Sequence, residues 1–288
     1  MGNGVALRLV EGGHRVVAYN RSQDKVEAIK QQGAEGATSV AELVQMLPKP
    51  RTVWLYLPSG DVTLEHASEL LDLLEAGDTL IDGGNSKFLD SMALAARCNE
   101  KGISFMDVGT SGGIVGRTEG YCLMVGAAQD VYDRHAEAWK AVAQEGGCAR
   151  VGQNGAGHYV KMIHNAVEYG MMQAYAEGME LLASREGEME ISLPTVTEVW
   201  QHGSIVRSFL GGLLAEAVAE ESHLDSIGSS IADNGEAKWS LLEALDKAVP
   251  VPVIAASLFA RYASRNKGTL AEKTINVLRN KFGGHAYK

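Results

Sequence analysis

Gly155-Ala-Gly157-His-Tyr-Val-Lys161-Met-Ile-His164-Asn165-Ala-Val-Glu168-Tyr169 decides how the rest of this 288-residue chain is read. Lys161, His164, Asn165, Glu168 and Tyr169 fall at i, i+3, i+4, i+7 and i+8, which is one stripe of a helix. Val160, Met162, Ile163, Ala166, Val167, Met171 and Met172 make its other faces apolar, so the pattern predicts a buried helix whose polar stripe lines a cavity. Burying Lys and Glu costs several kcal/mol, roughly, unless they are paired or poised for chemistry.

The stretch also divides the chain. Upstream, short apolar runs alternate with helical segments. Arg15–Tyr19, Thr52–Leu57, Thr79–Asp82 and Ile103–Val108 read as strands, with Tyr121–Val125 and Ala149–Val151 as the last two. Residues 2–11, 23–32, 61–76 and 87–101 read as the intervening helices. Such alternation predicts a doubly wound parallel sheet with helices on both faces. Downstream, strand signals end, and residues 156–186, 192–222, 236–248 and 251–265 read as helices. The expected organisation is an α/β Rossmann-like domain over 1–153 and an all-α domain over 154–288.

Composition narrows the function classes. The net charge of −10 argues against non-specific binding to nucleic acid or to anionic membranes. Cys98, Cys122 and Cys148 lie far apart without CxxC pairing, which suits a reducing cytoplasm and offers no zinc site. No apolar run approaches the roughly 18 residues that a membrane span needs.

A dinucleotide-binding sheet opens with a strand, then GxGxxG, then a helix whose N-terminus holds the pyrophosphate. Here Gly2 sits where the third glycine belongs, so the first strand and two glycines are expected to be missing. Met1, Gly2 and Asn3 are the candidate pyrophosphate contacts. About 20 positions on, where a ribose-reading residue is expected, the chain has Asn20-Arg21-Ser22. A carboxylate there would repel a 2′-phosphate. Neutral donors beside a guanidinium favour NADP, with NAD as the alternative.

Together these motifs resemble those of decarboxylating 6-phosphogluconate dehydrogenases in their shorter bacterial form, within the β-hydroxyacid dehydrogenase superfamily. The resemblance runs through Asp82-Gly-Gly-Asn85-Ser, Ser111-Gly112-Gly113, the Lys161–Tyr169 stretch, Phe259-Ala-Arg261 and the tail Arg279-Asn-Lys-Phe-Gly-Gly-His285. Relatives acting on small hydroxyacids, such as 3-hydroxyisobutyrate dehydrogenase, typically carry Asn at the position of His164 and lack the Glu168-Tyr169 pair and the tail.

The resemblance implies oxidative decarboxylation of 6-phosphogluconate to ribulose 5-phosphate and carbon dioxide without a metal. Lys161 would be the base that takes the substrate hydroxyl proton, then the acid that stabilises the enolate; desolvation can bring a lysine toward neutrality. Glu168 would protonate the enediol carbon. His164 and Asn165 would hold substrate hydroxyls, and Ser111, Gly112 and Gly113 the carboxylate end. Asn85 would lie between nicotinamide and sugar, with Leu57, Pro58 and Ser59 also on the cofactor. Tyr169, Arg261 and Arg279 would hold the phosphate with His285 nearby, the tail reaching the neighbouring subunit of a homodimer or homotetramer. One departure is Asn234, four residues before Lys238-Trp239, where the family commonly has a lysine or similar polar group that contacts the phosphate. Two other readings stand beside this one: a dehydrogenase of another small hydroxyacid, and a non-catalytic sugar-phosphate or subunit-binding protein.

Overall fold

The computed structural model describes residues 1–283 and 286, so His285 lies outside the described residues. The chain divides into two compact units, Met1–Met162 and Ile163–Lys288.

The first unit alternates as its sequence pattern predicts. In chain order it holds α1 (Gly2–Glu11), β1 (Val17–Ala18), α2 (Gln23–Lys30), β2 (Glu35–Gly36), α3 (Val40–Met46), β3 (Thr52–Leu55), α4 (Asp61–Leu73) and β4 (Thr79–Asp82). It continues with α5 (Phe88–Glu100), β5 (Ser104–Ser111), α6 (Gly116–Glu119), β6 (Tyr121–Gly126), α7 (Gln129–Arg134), α8 (Ala136–Val142) and β7 (Ala143–Gly152). β1 and β2 form a two-stranded parallel sheet, and β3-β4-β5-β6-β7 a five-stranded one. Every pair in the larger sheet is parallel except β5 with β6.

Period-two alternation sends successive strand residues to opposite faces. Val53, Leu55, Leu80 and Phe105 pack with Ala67, Leu70 and Leu71 of α4, Leu94 and Cys98 of α5, and Val40 and Val44 of α3. Their neighbours Ile81, Met106 and Val108 join Leu123 and Val125 in a second cluster with Val5 of α1, Val131 of α7, and Trp139 and Val142 of α8. All four residues of β4 are buried, as expected for a strand covered on both faces.

Three features depart from the sequence pattern. β5 runs on through Gly109-Thr110-Ser111, which reads as a loop, because Ser111 and Thr110 pair with Cys122 and Leu123 of β6. β2 is two residues long and gives too little alternation to read, while α3 is opened by Ser39, whose hydroxyl accepts the Glu42 N–H. The six-residue α7 and seven-residue α8 likewise carry too little periodicity.

α9 (Ala156–Ala183) begins in the first unit and continues into the second, which then holds α10 (Glu186–Met189), α11 (Leu193–Val199), α12 (Phe209–Glu220), α13 (Glu236–Asp246), α14 (Pro252–Arg265) and α15 (Leu270–Gly283). The helical pattern over 192–222 is interrupted between α11 and α12. Ser208 restarts the helix by accepting the Gly211 N–H, and Tyr175 of α9 bonds the same hydroxyl at 2.8 Å. α9 is also less enclosed than its apolar faces suggest: Val167 and Met171 are 50% and 38% exposed in the single chain. Among the described residues, no helix is long and apolar enough to cross a membrane.

Candidate active site

In a parallel sheet, ligand-binding loops gather at the carboxyl ends of the strands. Three such ends are adjacent here. β3 leads into Tyr56-Leu57-Pro58-Ser59, β4 into Gly83-Gly84-Asn85-Ser86, and β5 into Gly112-Gly113. The first two loops touch, since a Cβ on Gly84 would lie 2.9 Å from the Leu57 carbonyl oxygen. The Tyr56 hydroxyl bonds Thr110 Oγ1 at 3.0 Å, tying the end of β3 to the end of β5. Burial raises the Tyr56 pKa, so this phenol stays protonated. Asn85 and Ser111 are half-buried, and the backbone turns away after Ser111 with φ of 127° at Gly112 and 54° at Gly113.

α9 is pressed against this end of the sheet through missing side chains. A Cβ on Gly157 would stand 2.2 Å from the Asp107 carbonyl oxygen and 2.6 Å from that of Met124. One turn on, a Cβ on Gly109 would stand 2.4 Å from Lys161 Cβ. Lys161 therefore lies directly against β5, two residues before Ser111, and is only 8% exposed.

The first turn of α9 is held by a residue that the sequence pattern did not single out. The Asp107 carboxylate accepts the Gly155 N–H at 2.6 Å and the His158 N–H at 2.9 Å. It satisfies two of the helix's unpaired donors from 48 residues away, as a capping box does locally. Burial raises the Asp107 pKa, opposed by His158 and these amide bonds. His158 is itself buried and bonds Ser91 at 2.7 Å through Nδ1. The signal for Asp107 was one carboxylate inside an otherwise apolar strand.

For a dinucleotide, α1 offers an N-terminus with no acidic residue in its first turn and no side chain capping its amides. That donor set fits a phosphate group. Gly2 abuts Tyr56, where a Cβ would meet Tyr56 Cβ at 2.8 Å, so Met1, Gly2 and Asn3 stand beside the end of β3. Asn20-Arg21-Ser22 is exposed at the end of β1, and Asn20 Oδ1 accepts the Ser22 N–H at 2.9 Å as α2 opens.

The second unit carries the rest of the α9 stripe. His164 Nδ1 lies 3.1 Å from Asn165 Oδ1 and 3.9 Å from Glu168 Oε2. Asn165 Nδ2 donates to Glu236 Oε1 at 3.3 Å. The Tyr169 hydroxyl donates to Asp233 Oδ1 at 3.2 Å, and the Arg261 guanidinium carbon lies 3.4 Å from the centre of the Tyr169 ring. Arg261 Nη1 donates to the Ala232 carbonyl at 2.9 Å. Burial raises the Tyr169 pKa, opposed by Arg261. Asn234 is exposed beside Asp233, and Arg279 is exposed on α15. Asp233 and Glu236 were missed in the sequence because their roles depend on partners 64 and 71 residues away, at Tyr169 and Asn165.

Residues 1–152 match the family described as the NAD binding domain of 6-phosphogluconate dehydrogenase, and residues 157–288 match its C-terminal domain. The chain belongs to the 6-phosphogluconate dehydrogenase family. It therefore contains a nicotinamide dinucleotide-binding domain and is an enzyme of that dehydrogenase type. It is 39% identical to the YqeC protein of Bacillus subtilis over 288 residues, covering 99% of this chain and 95% of that protein. It is 41% identical over 287 residues to a Haloferax volcanii protein named 6-phosphogluconate dehydrogenase, NAD(+)-dependent, decarboxylating, covering 99% and 94%. A solved 6-phosphogluconate dehydrogenase of Plasmodium falciparum, described with its cofactor NADP+ and its substrate 6-phosphogluconate, superposes with a TM-score of 0.83 at 29% identity. That match covers 98% of this chain and 63% of the longer Plasmodium chain.

Proposed function

We propose that this chain oxidatively decarboxylates 6-phosphogluconate to ribulose 5-phosphate and carbon dioxide, with NADP as the preferred oxidant. The observation that carries the reading is Lys161, a buried amine fixed against Gly109 at the end of β5 on the helix that also bears His164, Asn165 and Glu168. Family relatives named for this decarboxylating activity support it.

The nicotinamide supplies the hydride acceptor when bound. Met1, Gly2 and Asn3 hold the pyrophosphate, Asn20, Arg21 and Ser22 the ribose end, and Leu57, Pro58, Ser59 and Asn85 the nicotinamide side. Lys161 takes the proton of the C3 hydroxyl, the general-base role that a positioned amine can fill. The resulting 3-keto acid breaks its C1–C2 bond, releasing carbon dioxide and leaving the electron pair in an enediolate. Protonated Lys161 returns its proton to the C3 oxygen. Glu168, two helical turns or about 10 Å along α9, protonates the carbon that lost the carboxylate while Lys161 takes the C3 hydroxyl proton back, which leaves the ketone of ribulose 5-phosphate. Ser111, Gly112 and Gly113 hold the carboxylate, His164 and Asn165 the hydroxyls. Tyr169, Arg261, Arg279 and His285 take the phosphate, with the tail residues supplied to a second copy of the chain. The proposed domain division is 1–153 and 154–288.

A substrate panel tests the reading. Reduction of NADP with 6-phosphogluconate, and far weaker reduction with gluconate or 3-hydroxyisobutyrate, is expected; a faster reaction with 3-hydroxyisobutyrate would assign a small-hydroxyacid dehydrogenase instead. Inertness with every substrate and no cofactor binding would leave the non-catalytic reading.

Cofactor choice has its own test. Arg21→Ala is expected to weaken NADP binding by tenfold to about a hundredfold, as loss of a charge-assisted hydrogen bond worth roughly 1.5–3 kcal/mol does, and to leave NAD nearly unchanged. Fluorescence titration with both cofactors reads this directly. Equal losses would place Arg21 on a group that both cofactors share.

A further inference from the structure

The polar contacts of His164 have a direction, and it originates in α13. Glu236 opens that helix and is 3% exposed. A carboxylate only accepts hydrogen bonds, so the Asn165 group facing Glu236 Oε1 at 3.3 Å is the amide NH2. That orientation turns Asn165 Oδ1 toward His164 Nδ1, 3.1 Å away. An amide oxygen also only accepts, so Nδ1 must carry the hydrogen. The Glu168 carboxylate, 3.9 Å from the same Nδ1, favours a proton at that position too. In a neutral imidazole the lone pair is then on Nε2.

We propose that Glu236 is a positioning residue that acts through Asn165 to hold His164 as the Nδ1–H tautomer, so that Nε2 accepts a hydrogen bond from a substrate hydroxyl. The acceptor role rests on the function proposed above; the tautomer does not. Without Glu236 the Asn165 amide loses the buried acceptor that holds its NH2 group, and only the more distant Glu168 still favours the same order. A half-turn of that amide presents NH2 to Nδ1 and moves the imidazole hydrogen to Nε2, where it opposes a donating hydroxyl. A polyhydroxy acid, whose hydroxyls must be read by acceptors as well as donors, is the substrate class that benefits.

The test is the nitrogen-15 spectrum of histidine-labelled full-length protein without substrate at about pH 8, above the ordinary imidazole range. His164 is assigned from the signals lost in His164→Gln. The expected wild-type result is a protonated Nδ1 and an unprotonated Nε2. Glu236→Gln, whose amide can donate or accept, and Asn165→Ala, which breaks the relay in its middle, are both expected to give a mixture of tautomers. In kinetics, Glu236→Gln is expected to raise KM for 6-phosphogluconate roughly tenfold, the loss of about one substrate hydrogen bond, while KM for the cofactor stays unchanged. A wild-type Nε2–H tautomer, or an unaltered tautomer in both folded variants, overturns the proposal. Because the spectrum is recorded without substrate, that failure is distinct from failure of the proposed reaction, which the substrate panel reads separately.

Discussion

Lys161→Met is expected to lower turnover by about a thousandfold or more. General acid–base groups typically contribute 10²- to 10⁴-fold, roughly, and here one amine serves both the oxidation and the decarboxylation. The effect should therefore fall in the upper part of that range. Cofactor titration and a thermal melt on the same sample separate lost chemistry from lost fold. Glu168→Gln should behave differently, because it acts after carbon dioxide has left. Its deficit should lie in solvent-proton incorporation at the product carbon, with cofactor reduction less affected.

The second large effect is expected from a single methyl group. Gly157→Ala places a Cβ 2.2 Å from one backbone oxygen and 2.6 Å from another, neither of which can rotate away. Overpacking of this kind costs about 1–3 kcal/mol and sometimes more. Helix propensity favours Ala by about 1 kcal/mol, too little to offset two backbone clashes. The helix must lift from β5 and β6, and Lys161, one turn along, lifts with it. A displacement near 1 Å can cost about a hundredfold in rate. Gly157→Ala should thus lower both the melting temperature and kcat. Gly178→Ala is the control: it lies in the same helix, where an added Cβ meets nothing within 4 Å. It should melt no lower than the parent chain and react normally. Equal effects from the two substitutions would mean that the close crossing at Gly157 does not position the helix.

What the sequence made legible is set by how local each cause is. Leu80 and Ile81 enter different cores because they are consecutive on a strand, and their alternation is visible without any partner. The stripe of α9 is legible for the same reason at a period of 3.6. Asp107 is different. Its carboxylate is explained by amides 48 and 51 residues away; the sequence shows an acid inside a largely apolar strand but not what it holds. Glu236 similarly resembles an acid placed to suit a helix N-terminus, and only the fold brings it to Asn165. α15 was legible and is easily passed over: Thr269 and Glu272 cap its start reciprocally, at 2.8 and 3.4 Å, in a T-x-x-E pattern. The exposure of Val167 and Met171 could not be read from periodicity, which identifies an apolar face but not what covers it.

The most direct measurement follows both products of one reaction. With 6-phosphogluconate carrying carbon-13 at C1, the enzyme and NADP should release one labelled carbon dioxide for each reduced cofactor, and ribulose 5-phosphate should accumulate in equal amount. Lys161→Met should release neither. Cofactor reduction without labelled carbon dioxide, or near-normal turnover in Lys161→Met, would contradict the account.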